Sequence, residues 1–104
     1  MQMPTKKQMQ VEGLEKVKKY INSKSPEKQV DAWDVLMHME NGEFDKFLWK
    51  TWRGKIKEAY FIKDNRIFYI VEGGTVFLLY ACKKQKNKTS KKDADMIMKR
   101  AREL

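Results

Sequence analysis

The stretch RIFYIVEGGTVFLLYAC, residues 66–82, decides the fold. It holds two runs rich in aromatic and β-branched residues, 66–72 and 75–82, which are joined by Gly73-Gly74. A two-residue link that adopts positive φ without strain is typical of a tight β-hairpin turn. Both runs are apolar at consecutive positions, which predicts that at least the middle strand of the sheet is covered on both faces.

A third strand candidate, residues 56–63, precedes this hairpin and is followed by the two-residue link Asp64-Asn65. Three such runs in succession predict an antiparallel three-stranded meander. If each link is a turn tip, the pairing across both turns follows from simple counting. The expected pairs are Ile62 with Ile67, Lys63 with Arg66, Ile67 with Tyr80, and Arg66 with Ala81.

Two helices are predicted before the sheet. The first has apolar residues at steps of three and four and ends in a break over residues 22–25. The second begins at Ser25-Pro26-Glu27, where Ser is a good N-cap and Pro suits the first turn. It ends at Asn41-Gly42, because Gly adopts the left-handed conformation that terminates helices. The apolar residues of the two stripes are Leu14, Val17, Tyr20 and Ile21, then Val30, Trp33, Leu36 and Met37.

A last helix is predicted from Ser90, since Ser90 and Asp93 have the spacing of a capping box. The sequence therefore predicts one α+β domain over residues 1–104. Its N-terminal helical hairpin packs on a small antiparallel meander sheet, and a C-terminal helix follows. Residues 1–10 are polar, and we expect them to be frayed, with no strand before Leu14.

Positive charge is concentrated in the second half of the chain. The net charge is +9, of which residues 53–104 carry +8 and residues 1–52 carry +1. Six Lys lie between positions 83 and 92 without an acidic residue among them. Such a cluster repels itself unless a polyanion or an acidic protein binds it. The alternative interpretation is a solvated loop kept soluble by its charge.

Composition excludes several classes of protein. One Cys and one His rule out an internal disulfide framework and leave almost no basis for a zinc site, so no metal site is predicted. No apolar run approaches the ~20 residues that span a bilayer, and the first ten residues do not resemble a signal peptide. We therefore expect a cytoplasmic protein without membrane association.

Enzyme motifs built on His, Cys or a Gly-rich loop are also missing. His38 lies inside the second predicted helix, and we interpret it as a residue of the helix surface or the core edge. Cys82 is interpreted as a small buried apolar residue. Trp49 and Trp52 suit either the rim of the core or a platform for base stacking, and the rim is the favoured interpretation.

The predicted pairing gathers basic and phenolic side chains at one end of the sheet. Arginine and lysine there could hold a phosphate and stabilise charge that develops during its transfer. A tyrosine or lysine with an adjusted pKa could move protons in place of histidine. The residues that gather are Arg66, Tyr80, Lys83 and Lys84.

The order of these motifs resembles the RelE/ParE toxin superfamily, and most of all its HigB-like, phage-derived branch. The resemblance rests on Arg66-Ile67-Phe68-Tyr69, on the apolar strand that ends in Cys82-Lys83-Lys84, and on the basic helix that follows residues 88–93. It covers about residues 24–103. It implies the RelE-like fold and an mRNA endoribonuclease that acts in the ribosome without a metal or a small-molecule cofactor. It also implies an antitoxin protein that covers the basic face.

The resemblance also implies roles for individual residues. Arg66 matches a phosphate contact, Lys84 a residue that stabilises the transition state, and Tyr80 replaces a histidine and would serve as acid or base. Together these three form the expected catalytic set. The expected RNA-binding residues are Arg53, Lys55, Lys57, Lys83, Lys86 and Lys88.

Departures from the family pattern leave two other functions open. Ile56 and Glu58 stand where the best-known members have basic residues, and Tyr60 stands where the HigB-like branch has arginine. One alternative is therefore a RelE-like module that binds RNA or protein without cleaving it. The other is a ParE-like inhibitor of DNA gyrase.

Overall fold

The computed structural model describes residues 8–84 and 88–104. Within these ranges the chain forms a mixed sheet and three helices. The elements are β1 (Gln10–Glu12), α1 (Glu15–Asn22), α2 (Pro26–Glu40), β2 (Trp49–Arg53), β3 (Ile56–Phe61), β4 (Asn65–Glu72), β5 (Thr75–Lys83) and α3 (Lys91–Arg102). The predicted α+β class, with two helices before the meander and one after it, is confirmed.

The sheet is larger than the predicted three-stranded meander. In the described ranges it has five strands in the order β1-β5-β4-β3-β2. Strands β2 to β5 are antiparallel neighbours, and β1 pairs in parallel with β5. The expectation that no strand precedes Leu14 is therefore wrong. The backbone N–H of Met9 also donates to the carbonyl of Glu40 at 2.7 Å, so the frayed segment cannot extend to residue 10. Residues 1–7 lie outside the described ranges.

Each face of the sheet has its own apolar cluster. On one face α1 and α2 pack through Val17, Ile21 and Met39 onto inward side chains of β3, β4 and β5. On the other face Ile97 of α3 packs against Phe68 and Leu79. Both faces of β4 are thus buried, as its continuous apolar run predicts. No helix in the described part of the chain has the length and apolar character that crossing a membrane requires.

The turn between β3 and β4 differs from the predicted two-residue link. Ile62 and Lys63 adopt positive φ, and the observed partners are Tyr60 with Arg66 and Phe61 with Asn65. The expected pairs of Ile62 with Ile67 and Lys63 with Arg66 are wrong. Tertiary contacts select this turn. The Asp31 carboxylate accepts the Ile62 N–H at 2.7 Å, and the buried Asn65 amide donates to the Ile62 carbonyl at 3.0 Å.

The turn at Gly73-Gly74 is confirmed, with Glu72 opposite Thr75. Further along, a β-bulge at Leu79 shifts the register by one residue, so that Phe68 faces Tyr80. The expected partners of Arg66 and Ile67 on β5 are therefore wrong by one position. The observed pairs are Arg66 with Cys82 and Ile67 with Ala81.

Local signals located the helix boundaries well. The helices α1 and α2 end at Asn22 and Glu40, next to the predicted break and the predicted Asn41-Gly42 terminus. Ser90 caps α3, and its hydroxyl accepts the backbone N–H of Asp93 at 3.2 Å. This is the first half of the predicted capping box.

Gly13 joins β1 to α1 and yields a test of this edge of the sheet. Its φ is +89°, and a Cβ placed on it would lie 2.4 Å from the carbonyl oxygen of Leu78. Gly73 has a similar φ of +58°, but a Cβ there would meet nothing within 4 Å. We expect Gly73→Ala to lower the free energy of unfolding by about 1 kcal/mol, which is the left-handed backbone penalty alone. Gly13→Ala should cost at least about twice as much, because the clash with β5 is added. Urea denaturation compares the two variants, and equal costs would contradict the close contact between Gly13 and β5.

Candidate nucleic-acid interface

Two strands and the end of a third each place one charged side chain on the face of the sheet that α3 packs against. Glu58 of β3 lies opposite Phe68, and Arg66 of β4 lies opposite Cys82. Lys84 comes two residues after Cys82, so strand alternation directs it to the same face. The bulge at Leu79 is needed for this arrangement, since an unshifted register would bring Ala81 opposite Arg66.

Arg66 and Lys84 converge on a single carboxylate. The Lys84 Nζ lies 2.9 Å from Glu58 Oε1, and the Arg66 Nε lies 3.4 Å from the same oxygen. All three residues are buried, with 0% of Glu58, 6% of Arg66 and 5% of Lys84 exposed. We call them the buried triad. The two cations therefore meet as predicted, but the group between them is an acid that the sequence analysis did not assign to the site.

The protein itself binds one edge of the Arg66 guanidinium and one face of its plane. Its Nη1 donates to the carbonyls of Lys63 and Asn65, at 2.5 and 2.9 Å. Its central carbon lies 3.7 Å from the centroid of the Tyr60 ring, a close cation–π contact. Arg66 thus holds the β3–β4 turn together as well as facing Glu58.

Lys84 is held in place through its own backbone N–H as well as through its side-chain ammonium group. Its N–H donates to the Asp64 carbonyl at 2.7 Å, which ties the end of β5 to the β3–β4 turn. Its side chain lines a groove of about 370 Å³ beside the buried triad. Lys84 therefore connects the buried charges to the surface.

The groove is rich in cations. Lys50, Arg53 and Lys88 are exposed and line it together with Lys84, whereas Glu58 is the only acid among its lining residues in the described chain. The other lining residues are Thr51, Trp52 and Thr89. Four cations around one carboxylate make this cleft attractive to an anion.

The two tryptophans of β2 face opposite sides of the sheet. Trp52 packs edge-to-face on Phe68 at 5.3 Å, so it lies on the rim of the α3-side core as favoured by the sequence analysis. The Arg53 guanidinium lies 4.3 Å from the ring of Trp52. Trp49 is 41% exposed, and its ring lies 5.0 Å from the Lys57 ammonium on the face of α1 and α2.

Tyr80 is engaged with α3. Its hydroxyl donates to Asp93 Oδ1 at 2.7 Å, and the Arg100 guanidinium lies 5.4 Å from its ring. Burial, and then the hydrogen bond and negative charge of Asp93, raise the pKa of Tyr80 to about 12. The phenol is therefore protonated at neutral pH and is not available as a base.

Three other predicted RNA-binding residues, all within the described ranges, do not line the groove. Lys55 forms an exposed ion pair with Glu72 at 3.0 Å. Lys57 lies near Trp49 on the opposite face, and Lys83 alternates with Lys84 and so is directed away from it. Lys86 lies outside the described residues. Of the predicted set, the structure brings Arg53 and Lys88 together with Lys84.

Sequence reasoning missed Lys50 and Glu58 as parts of this region. Lys50 was missed because β2 was not predicted, although the sequence Trp-Lys-Thr-Trp-Arg has the alternation and the aromatic content of a short strand. Glu58 carried a signal as well, since it is an acid within the predicted strand, on the same face as the buried Ile56. An acid in such a place requires a cationic partner.

Other chemistry-bearing groups belong to the packing. His38 lies at the end of α2, with Nδ1 3.0 Å from Glu43 and Nε2 3.4 Å from Asp34. Cys82 is buried, and burial together with Asp93 raises the pKa of its thiol to about 12. Across residues 8–84 and 88–104, no group of three or more His, Cys, Asp or Glu side chains is arranged to hold a metal ion.

Comparison with known protein families assigns this chain to one of them. A family model described as phage derived protein Gp49-like (DUF891) matches residues 19–102, which include the buried triad and every residue of the groove. The chain belongs to the Gp49-like phage-derived family. This family is RelE-like and of the toxin type, so the Gp49-like match supports the superfamily inferred from the strand motifs. No curated protein matches this Gp49-like chain.

The buried triad of this Gp49-like chain leads to a stability prediction. Glu58→Gln leaves two buried cations without a counter-charge, and breaking a buried ion pair costs about 3–5 kcal/mol. Glu72→Gln is the matched control, because Glu72 pairs with Lys55 at a similar distance but in solvent, where pairs contribute about 1 kcal/mol or less. Urea denaturation of both variants measures the difference. Similar losses in both would contradict a buried charge cluster.

Proposed function

We propose that this chain is the toxin of a type II toxin–antitoxin module and cleaves mRNA on the ribosome, as the resemblance to the HigB-like branch implies. The observation that carries the proposal is the groove, where Lys50, Arg53 and Lys88 are exposed beside the inner Lys84. A cationic groove with a partly exposed aromatic ring at its wall suits the backbone and bases of a single strand. The antitoxin would then carry acidic residues that cover the same groove.

The reaction in this proposal is an attack of the ribose 2′-hydroxyl on the adjacent phosphorus. A 2′-O–P bond forms, the bond from phosphorus to the 5′-oxygen breaks, and a proton passes from the 2′-hydroxyl to the departing oxygen. Negative charge grows on the phosphate in the transition state, and the Lys84 ammonium is the inner cation that faces it. The resemblance implies that Tyr80 is the acid that protonates the departing oxygen, for which its hydroxyl would have to leave Asp93.

A second candidate, an RNA-binding module without cleavage, is favoured by the state of Arg66. Its Nη1 already donates to two backbone carbonyls, and its charge faces Glu58. In this alternative Arg66 is a structural residue, and the exposed cations of the groove account for all of the binding. The two candidates share the groove and differ in whether RNA is cleaved.

Growth on induced expression tests the first candidate. We expect the wild-type chain to arrest growth and to cut transcripts, and Lys84→Met to relieve both effects, since the apolar stem of the residue is kept while its charge is lost. Primer extension on cellular mRNA maps the cuts, and immunoblots of the soluble fraction match the protein levels. Normal growth and intact transcripts with well-expressed wild-type protein would refute the toxin proposal. Tight RNA binding under those conditions would favour the second candidate.

The salt dependence of RNA binding tests the groove in both candidates. Arg53→Ala combined with Lys88→Ala removes two exposed cations of the groove. Each phosphate contact on a single strand contributes about 0.7 to the slope of log K against log salt, so the slope should fall by about 1.4. Fluorescence anisotropy with a labelled RNA oligonucleotide at several salt concentrations measures it.

The matched control is Lys55→Ala combined with Lys57→Ala, which removes the same charge from outside the groove. We expect a smaller change in slope from this pair. An equal change would contradict the groove as the interface and would return Lys55 and Lys57 to the RNA-binding set that the sequence predicts.

A further inference from the structure

The Glu58 carboxylate occupies a position that has the chemistry of an oxyanion site. It accepts the Lys84 ammonium at 2.9 Å and faces Arg66 at 3.4 Å, and three more cations line the groove beside it. Convergent lysine and arginine donors around a single anionic oxygen are the arrangement with which proteins bind phosphate. Here the anion is supplied by the chain itself.

The carboxylate is an incomplete ligand for these cations. Both contacts go to Oε1, and the Arg66 Nε, although 3.4 Å from that oxygen, is a buried donor that makes no hydrogen bond within residues 8–84 and 88–104. The hydroxyl of Thr89, another groove residue, is also buried and without a partner in those ranges. A tetrahedral oxyanion presents more acceptor oxygens than a carboxylate and reaches donors in more directions. The site is therefore built for more acceptors than Glu58 provides.

We propose that Glu58 is an internal counter-ion that a phosphate-type oxyanion replaces. In the free protein Glu58 neutralises one of the two buried cations, so the charge that faces the groove is lower than its cations alone would give. When the oxyanion enters, the Lys84 ammonium turns from Oε1 to the ligand, and the exposed Lys50, Arg53 and Lys88 complete its neutralisation. The inference deepens the proposed function, because there the oxyanion is a phosphodiester of RNA.

Removing the carboxylate should therefore strengthen anion binding. We measure thermal unfolding of the full chain as sodium sulfate replaces sodium chloride at constant ionic strength, and fit the apparent Kd from the rise in Tm. Glu58→Gln should bind sulfate about tenfold or more tightly than the wild type, since juxtaposed like charges cost several kcal/mol at an interface. Sulfate also stabilises proteins generally, so the matched variant Glu72→Gln sets the baseline.

Four outcomes decide the proposal. A saturable gain in sulfate affinity that is confined to Glu58→Gln, and that is lost again when Lys84→Met is added, supports the proposal. Equal sulfate responses in Glu58→Gln, Glu72→Gln and the wild type overturn it, and so does a gain that survives Lys84→Met. If Glu58→Gln is too unstable to measure, Glu58→Asp carries the test. Its carboxylate is withdrawn by one methylene group, so a sulfate affinity no higher than in the wild type overturns the proposal.

The assay contains no RNA and no ribosome, so its failure is distinct from failure of the proposed function. A 2′-O-methyl RNA oligonucleotide, which resists this cleavage, extends the test to the proposed ligand. Tighter binding of that oligonucleotide by Glu58→Gln than by Glu72→Gln supports replacement of Glu58 by a phosphodiester. Equal or weaker binding limits the site to free oxyanions and overturns the RNA part of the inference.

Discussion

The ion pairing of Glu58 with Lys84 and Arg66 is the constraint on which the rest of the sheet depends. Each residue comes from a different strand or strand end, and all three are withdrawn from water. Buried charges are tolerated only when they are paired, so the strands must keep the register that brings the three together. A slip of one residue would send one of them to the other face of the sheet and leave its partners uncompensated.

The same constraint explains why the two faces of the sheet differ in character. On the side of α1 and α2 the core contacts are apolar, and polar contacts such as that of Asp31 lie at the β3–β4 turn. On the side of α3 an apolar cluster around Ile97 covers one part, and the buried triad occupies another. The groove opens beside the triad, so the charges that hold three strands in register also contribute to the electrostatic potential of the groove. Stability and the proposed anion binding thus draw on the same side chains.

What could be predicted from the sequence is what local chemistry determines. Gly73-Gly74, the Ser90 cap and the break after α1 each depend on a few neighbouring residues, and each is found in the structure. The β3–β4 turn could not be predicted in this way, because Ile62 has no local preference for positive φ and is held by Asp31 from α2. The strand β1 is three residues long and exists through its parallel pairing with β5, which local sequence does not encode.

For the site, the convergence of Arg66 and Lys84 was predicted from an incorrect register. In the predicted register Lys83 would share the face of Arg66, and the bulge at Leu79 brings Lys84 to that face instead.

The division between buried and exposed cations suggests how such a site can bind a polyanion and still fold. Exposed residues such as Lys50 and Lys88 add long-range attraction at little cost to stability, because water solvates them in the free state. Lys84 and Arg66 are withdrawn from water, and without a counter-charge their burial would destabilise the sheet. An internal carboxylate supplies that counter-charge in the free protein. A ligand must then offer better acceptors than Glu58 before it can bind the two inner cations. A phosphate meets that requirement, whereas chloride or a single surface carboxylate offers fewer acceptor oxygens. Selectivity for phosphate-bearing partners would then follow from the resident acid as much as from the cations around it.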